Sequence, residues 1–159
     1  MKYSRFEELP VWNAAIELAV QIYHLTSQRV FESRYSLRDQ IERAAVSVSN
    51  NIAEGFERGT TQELLTFLYI ARGSCGEVRS MLCLLERLPV FADLKFEISN
   101  LKLSSEGASR QLRAWADFLQ NSEVRGQRYL TNKTRSRSKA AEEREEFLKE
   151  LEQVRKRTS

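Results

Sequence analysis

Apolar residues recur along this chain at alternating intervals of four and three, over four long segments. The first line is Val11, Ala15, Leu18, Ile22 and Leu25, widened by Trp12, Ile16, Ala19 and Tyr23. The second is Leu37, Ile41, Ala44, Val48 and Ile52, and the third is Leu64, Leu68, Ala71, Cys75, Val78, Leu82 and Leu85. The fourth runs Leu94, Ile98, Leu101, Ser105, Ala108, Leu112, Trp115 and Leu119. This spacing keeps one edge of a helix turned toward a partner helix along its whole length. It predicts helices over about residues 8–28, 36–54, 61–88 and 91–120. The punctuation agrees. Pro10 suits a first helical turn, and Ser36 with Asp39 three residues on fits a helix start. Gly55 and Gly59 bracket a turn, Thr60 and Glu63 form a capping box, and Pro89 ends the third helix. Connections of about three to eight residues between such segments predict an all-α fold. It is an antiparallel up-down-up-down four-helix bundle over residues 1–121, with crossings near 20°.

The periodicity stops after residue 121. Residues 125–139 contain Arg125, Arg128, Lys133, Arg135, Arg137 and Lys139, and no acidic residue. Ser, Thr, Asn and Gly lie between them. From Ala140 to Arg157 the composition is again helical, with Phe147, Leu148, Leu151 and Val154 on one stripe. That stripe is too narrow to hold a solitary helix. The second region, 122–159, therefore reads as a basic linker followed by a charged amphipathic tail helix. Charge sharpens the division. The 159 residues carry a net +3. Residues 1–121 hold 14 Lys/Arg against 15 Asp/Glu, whereas residues 122–159 hold 11 against 7. The linker has two readings: a solvated spacer, or a contact with RNA or DNA in which Arg and Lys neutralise phosphates and release counterions. Tyr129 is the sole aromatic of that stretch, so base stacking would be minor.

No apolar run approaches the roughly 20 residues that span a bilayer, and the N-terminus lacks the apolar core of a signal peptide. A cytoplasmic protein is expected. Cys75 and Cys83, eight apart on one helix, lie about 12 Å from each other, too far for a disulfide within the chain. With no CxxC and a single histidine, His24, neither a metal site nor a cofactor is expected. His24 itself reads as a surface or half-buried structural residue.

Two polar or mixed stripes invite a functional reading. Gln40, Arg43, Ser47, Asn51 and Glu54 share one face of the second helix. Catalysis by a Ser47 nucleophile fails because no base is placed to activate it. The residues read instead as a structural network, with Ser47 and Asn51 bonding near Ser74 and Arg43 pairing with Glu77. Gly73-Ser74-Cys75-Gly76 sits in mid-helix, unlike a phosphate-binding loop, and reads as a place where another backbone approaches. The third helix carries a further line of Phe67, Ile70, Ser74, Glu77, Met81, Leu84 and Leu88. A second seam on one helix means either unusual burial or a subunit interface, and Phe67, Ile70, Met81 and Leu84 are the expected interface residues of a homo-oligomer.

Three motifs in fixed order add a resemblance: Ala44-Ala45-Val46-Ser47 with Asn51-Ile52-Ala53-Glu54-Gly55, then Phe67-Leu68-Tyr69-Ile70-Ala71-Arg72-Gly73-Ser74 with Glu77, and the opening Phe6-Glu7-Glu8-Leu9-Pro10-Val11-Trp12. Together they resemble the four-helix-bundle family of proteins encoded in intervening sequences of 23S rRNA genes, over roughly residues 6–121. The same superfamily includes the accessory variability determinant of diversity-generating retroelements, a non-enzymatic partner of a reverse transcriptase. The resemblance implies a bundle that assembles into a pentameric ring. The expectation is a non-enzymatic, ring-forming accessory protein that binds nucleic acid, RNA above all, or an RNA-handling partner such as a reverse transcriptase, with no small-molecule substrate. The alternative is a structural oligomer or protein-interaction scaffold without direct nucleic-acid binding.

Overall fold

The computed structural model describes residues 3–122. Four helices carry the fold: α1 (Pro10–Thr26), α2 (Tyr35–Glu57), α3 (Thr61–Arg87) and α4 (Lys95–Gln120), and no strand occurs among the described residues. Helix α1 begins with Pro at its first position, behind a short 3-10 turn at Phe6–Glu8. The ring of Phe6 meets Trp12 edge-on at 5.1 Å and closes that end of the bundle. Helix α3 begins at the expected cap: the Thr60 hydroxyl accepts from the Glu63 backbone N–H at 3.2 Å. That bond satisfies one of the four donors that every helix start leaves open.

Three local expectations need correction. Helix α2 starts one residue early, behind Arg34, and no side chain caps it, so Ser36 and Asp39 do not form its start. Its last turn runs through Gly55 to Glu57. Gly55 is thus helical, and Gly59, with φ of 80°, alone makes the left-handed turn. Helix α4 begins at Lys95 rather than near Phe91, because Pro89 opens a 3-10 stretch over Pro89–Leu94. Proline fixes φ and supplies no N–H, which suits such a tight entry turn.

Helix α1 packs on α2 and α4, and α3 packs on the same two, which closes a square of neighbouring helices. The short α2–α3 connection makes that pair antiparallel. The apolar lines meet inside the square. Leu18, Ile22, Leu25, Ile41, Ile52, Leu64, Leu68, Leu82, Leu85 and Ile98 are all fully buried. Two core clusters divide along the bundle axis. One gathers Ala15, Val48, Ile52, Leu68, Cys75, Ala108 and Leu112, and the other Leu18, Ile22, Ala45, Val78, Leu82 and Leu101. Phe31 and Phe91, 5.0 Å apart, close the second cluster from two different connections. On α4 the inward residue near the end is Ala116, while Trp115 packs from the side.

Candidate interaction surfaces

The polar stripe of α2 lies against α3 near the middle of the bundle. Ser47 Oγ and the buried Ser74 Oγ are 2.9 Å apart across the two helices. Asn51 does not reach α3. Its Nδ2 donates to the Ser47 carbonyl at 2.7 Å and to Ser47 Oγ at 3.0 Å, so it acts on α3 only through Ser47. The expected Arg43–Glu77 pair is not formed. Arg43 pairs with Asp39 on its own helix at 3.2 Å, and Glu77 stands exposed on α3. Glu54 likewise pairs within α2, with Arg58, whose guanidinium lies 5.1 Å from the centre of the Phe67 ring. On the opposite side of α3, Ser105 Oγ of α4 donates to the Cys75 carbonyl at 2.8 Å, fully buried. Every buried side-chain nitrogen and oxygen among the described residues has a partner. A satisfied network needs no ligand to complete it, and its energy goes into fixing how the helices meet.

The outer seam of α3 divides. Met81 is only 7% exposed and belongs to the core, so it is not free for an interface; Ser74 is buried as well. Phe67 is half-buried. Ile70 and Leu84 are 46% and 42% exposed. Gly73 and Gly76 also face outward, and a Cβ built at either would meet nothing within 4 Å. Among the described residues no backbone approaches them. Sequence reasoning missed a second apolar face, on α4. Phe96, Leu103 and Phe118 are 81%, 64% and 65% exposed. The signal was present in their spacing, which places them opposite the inward line of the same helix.

The shifts of the titratable groups come from burial and hydrogen bonding. Burial pushes the Cys75 thiol up to about 12, while Arg79 nearby acts the other way. A thiol held protonated is a poor nucleophile. Lys102 Nζ of α4 donates to Glu86 Oε2 of α3 at 2.7 Å. That bond holds the Glu86 carboxyl below its usual range and raises the Lys102 ammonium above its own. His24 is exposed and lines a shallow groove between α1 and α4 with Gln21, Phe96 and Asn100. No helix among the described residues is long and apolar enough to cross a membrane. The six basic residues Arg125, Arg128, Lys133, Arg135, Arg137 and Lys139, and the tail stripe after them, lie outside the described residues.

Against known proteins, residues 7–114 match the family described as 23S rRNA-intervening sequence protein. The chain belongs to that family. The match covers all of α1, α2 and α3 and most of α4, the segments that build the square. A solved structure from Bacteroides thetaiotaomicron VPI-5482, described as a protein of unknown function from the S23 ribosomal protein family, shares the fold. It is 23% identical with a TM-score of 0.61, over 67% of this chain and 97% of that one. At that identity the likeness speaks for the bundle alone. Among curated proteins none matches the sequence.

Proposed function

We propose that this family member is a non-enzymatic, ring-forming accessory protein of five subunits that binds RNA through residues 125–139. The observation that carries this reading is the segregation of charge. A bundle with 14 basic and 15 acidic residues is joined to a stretch with six basic residues and none acidic. A basic segment on a neutral scaffold gives salt-sensitive, largely sequence-independent affinity, and several copies on one ring raise it through effective concentration. An RNA-handling protein such as a retroelement reverse transcriptase is the partner class such a scaffold suits, in the cytoplasm. The satisfied polar network and the protonated Cys75 thiol support a binding role over catalysis.

The test is fluorescence anisotropy on a generic single-stranded RNA with the full chain. Its comparison is a variant carrying Gln at positions 125, 128, 133, 135, 137 and 139. Affinity of the parent should fall steeply with salt. A log–log slope of roughly −3 to −4 corresponds to about four to six neutralised phosphates at −0.7 each. The variant should lose most of that affinity. Equal affinity of the two proteins refutes the tail assignment and moves the binding surface onto the bundle, whereas absence of affinity in both leaves the scaffold reading, which the near-neutral bundle favours. For the ring, light scattering should give five subunits, or ten where two rings pair, and Ile70→Glu on the exposed seam of α3 should reduce that number. A parent that is monomeric at micromolar concentration refutes the assembly.

A further inference from the structure

The outward face of α4 has a symmetry that α3 lacks. Phe96, Gly107 and Phe118 are eleven residues apart twice over, about three helical turns each time, so they stand nearly in line. The two phenylalanines are among the most exposed apolar side chains among the described residues. Gly107 lies midway, and a Cβ built there would meet nothing within 4 Å. Among the described residues nothing requires glycine at that point of a 26-residue helix, where it weakens the helix relative to alanine.

The charges beside this line are arranged about the same midpoint. Lys95 and Glu106 precede Gly107, and Arg110, Arg113 and Asp117 follow it, all along one flank of α4. If a second α4 is laid antiparallel on the first, with the two-fold axis near Gly107, Phe96 meets Phe118 of the partner subunit. Lys95 then faces Asp117 of the partner subunit, and Glu106 faces Arg110 of the partner subunit. A parallel alignment would turn this flank away from the same flank of the partner subunit and leave these charges without one another. Within one helix, Arg110–Glu106 at 2.9 Å and Arg113–Asp117 at 3.6 Å are exposed pairs, so each group has room for a second partner.

We infer that the outward face of α4 is an isologous interface on which a second copy of this chain docks antiparallel about Gly107. Such a contact is self-complementary and closes after two copies. Glycine at the axis lets the two backbones approach most closely where the helices cross, and the aromatic ends cover the two extremities. The inference does not rest on the ring: a ring joins two different patches of each subunit, the α3 seam is one of them, and the inference requires that the α4 face is not the other. The α4 contact pairs whatever assembly the α3 seam builds.

The experiment uses the full chain. Phe118→Glu should halve the mass measured by sedimentation equilibrium, because each interface contains that residue twice. Glu106→Arg should also halve it, and Glu106→Arg/Arg110→Glu should restore it, a rescue that loss of folding would not show. Gly107→Cys, made with Cys83→Ala, should form a disulfide-linked pair under mild oxidation, since only a residue at a two-fold axis lies within bridging distance of itself. Unchanged mass in Phe118→Glu overturns the interface. A halved mass without the Gly107→Cys cross-link overturns the two-fold arrangement. A ring that survives Phe118→Glu at half mass keeps the two assemblies distinguishable, and Ile70→Glu tests the ring by itself.

Discussion

Gly55→Ala should destabilise the bundle, although the same change at most helical glycines stabilises. An alanine in a helix interior is favoured over glycine by up to about 1 kcal/mol. At Gly55 the added Cβ would lie 2.6 Å from Phe67 Cβ, 3.2 Å from Leu64 Cδ1 and 3.4 Å from Leu64 Cα. Comfortable carbon contacts are about 3.5–4.0 Å, so α2 and α3 must part by roughly 1 Å. The obstructing atoms are a Cβ and a Cα fixed to the α3 backbone, so a change of rotamer does not clear them. Overpacking of this kind typically costs about 1–3 kcal/mol. It exceeds the propensity gain, which is smaller than usual so near the end of α2, and the net loss should be about 1–2 kcal/mol. Gly73→Ala is the control, since its Cβ enters open space. Circular dichroism at 222 nm, with urea and heat, at one protein concentration for all variants, reads both. Gly55→Ala should lower Tm by roughly 3–8 °C. Gly73→Ala should leave it equal or higher. If Gly55→Ala stabilises as much as Gly73→Ala, α2 and α3 are not in close contact at Gly55 and the packing argument fails.

Other outcomes follow from single contacts. Thr60→Ala should cost about 0.5–2 kcal/mol in urea denaturation by leaving the Glu63 N–H without its cap, and Thr60→Ser should recover most of the loss. Asn51→Leu should cost about 1 kcal/mol or less, because Asn51 bonds only within α2 and Ser47 keeps its bond to Ser74; a loss above 3 kcal/mol would mean that Asn51 reaches further. The Glu86 carboxyl is held below the ordinary value of 4.5 chiefly by the Lys102 hydrogen bond, so its contribution is present above about pH 4.5 and is lost as pH falls through the lower folded value. Glu86→Gln should therefore flatten stability over that acid range and leave the slope above it unchanged. In a Cys83→Ala chain the buried thiol of Cys75 should react with iodoacetamide at pH 8 only after unfolding, and rapid alkylation of that variant in its native state would contradict the burial.

The four helices were legible because each apolar line is long and unbroken, and burial is what a heptad line reports. The Thr60 cap was legible for a local reason: a capping box is decided within four residues. The Ser47–Ser74 contact could be reached because two small polar residues fall near the inward lines of adjacent helices. Other features depend on distances between helices. Gly55 reads as a turn residue until α3 is seen to press against it. Met81 keeps the rhythm of the outer seam, yet α3 meets α2 on that side and covers it. Arg43 chose Asp39 because a carboxylate one turn away on the same helix is reached at less entropic cost than one on a neighbour. The outward face of α4 was overlooked because the inward line on the same helix explained its periodicity first.

The buried hydroxyl of Ser105 has a consequence for which folds are not made. A four-three repeat of Leu, Ile, Ala and Val is a ruler with nearly identical graduations. Slide α4 along α3 by seven residues and apolar still meets apolar, so burial alone barely separates the slipped alignment from the true one. The slip would carry Ser105 away from the Cys75 carbonyl and strand a hydroxyl among methyl groups, a penalty of about 1–3 kcal/mol. One serine midway along the helix is thus the mark that gives the ruler a zero, and the Ser47–Ser74 pair on the other side of α3 does the same for α2.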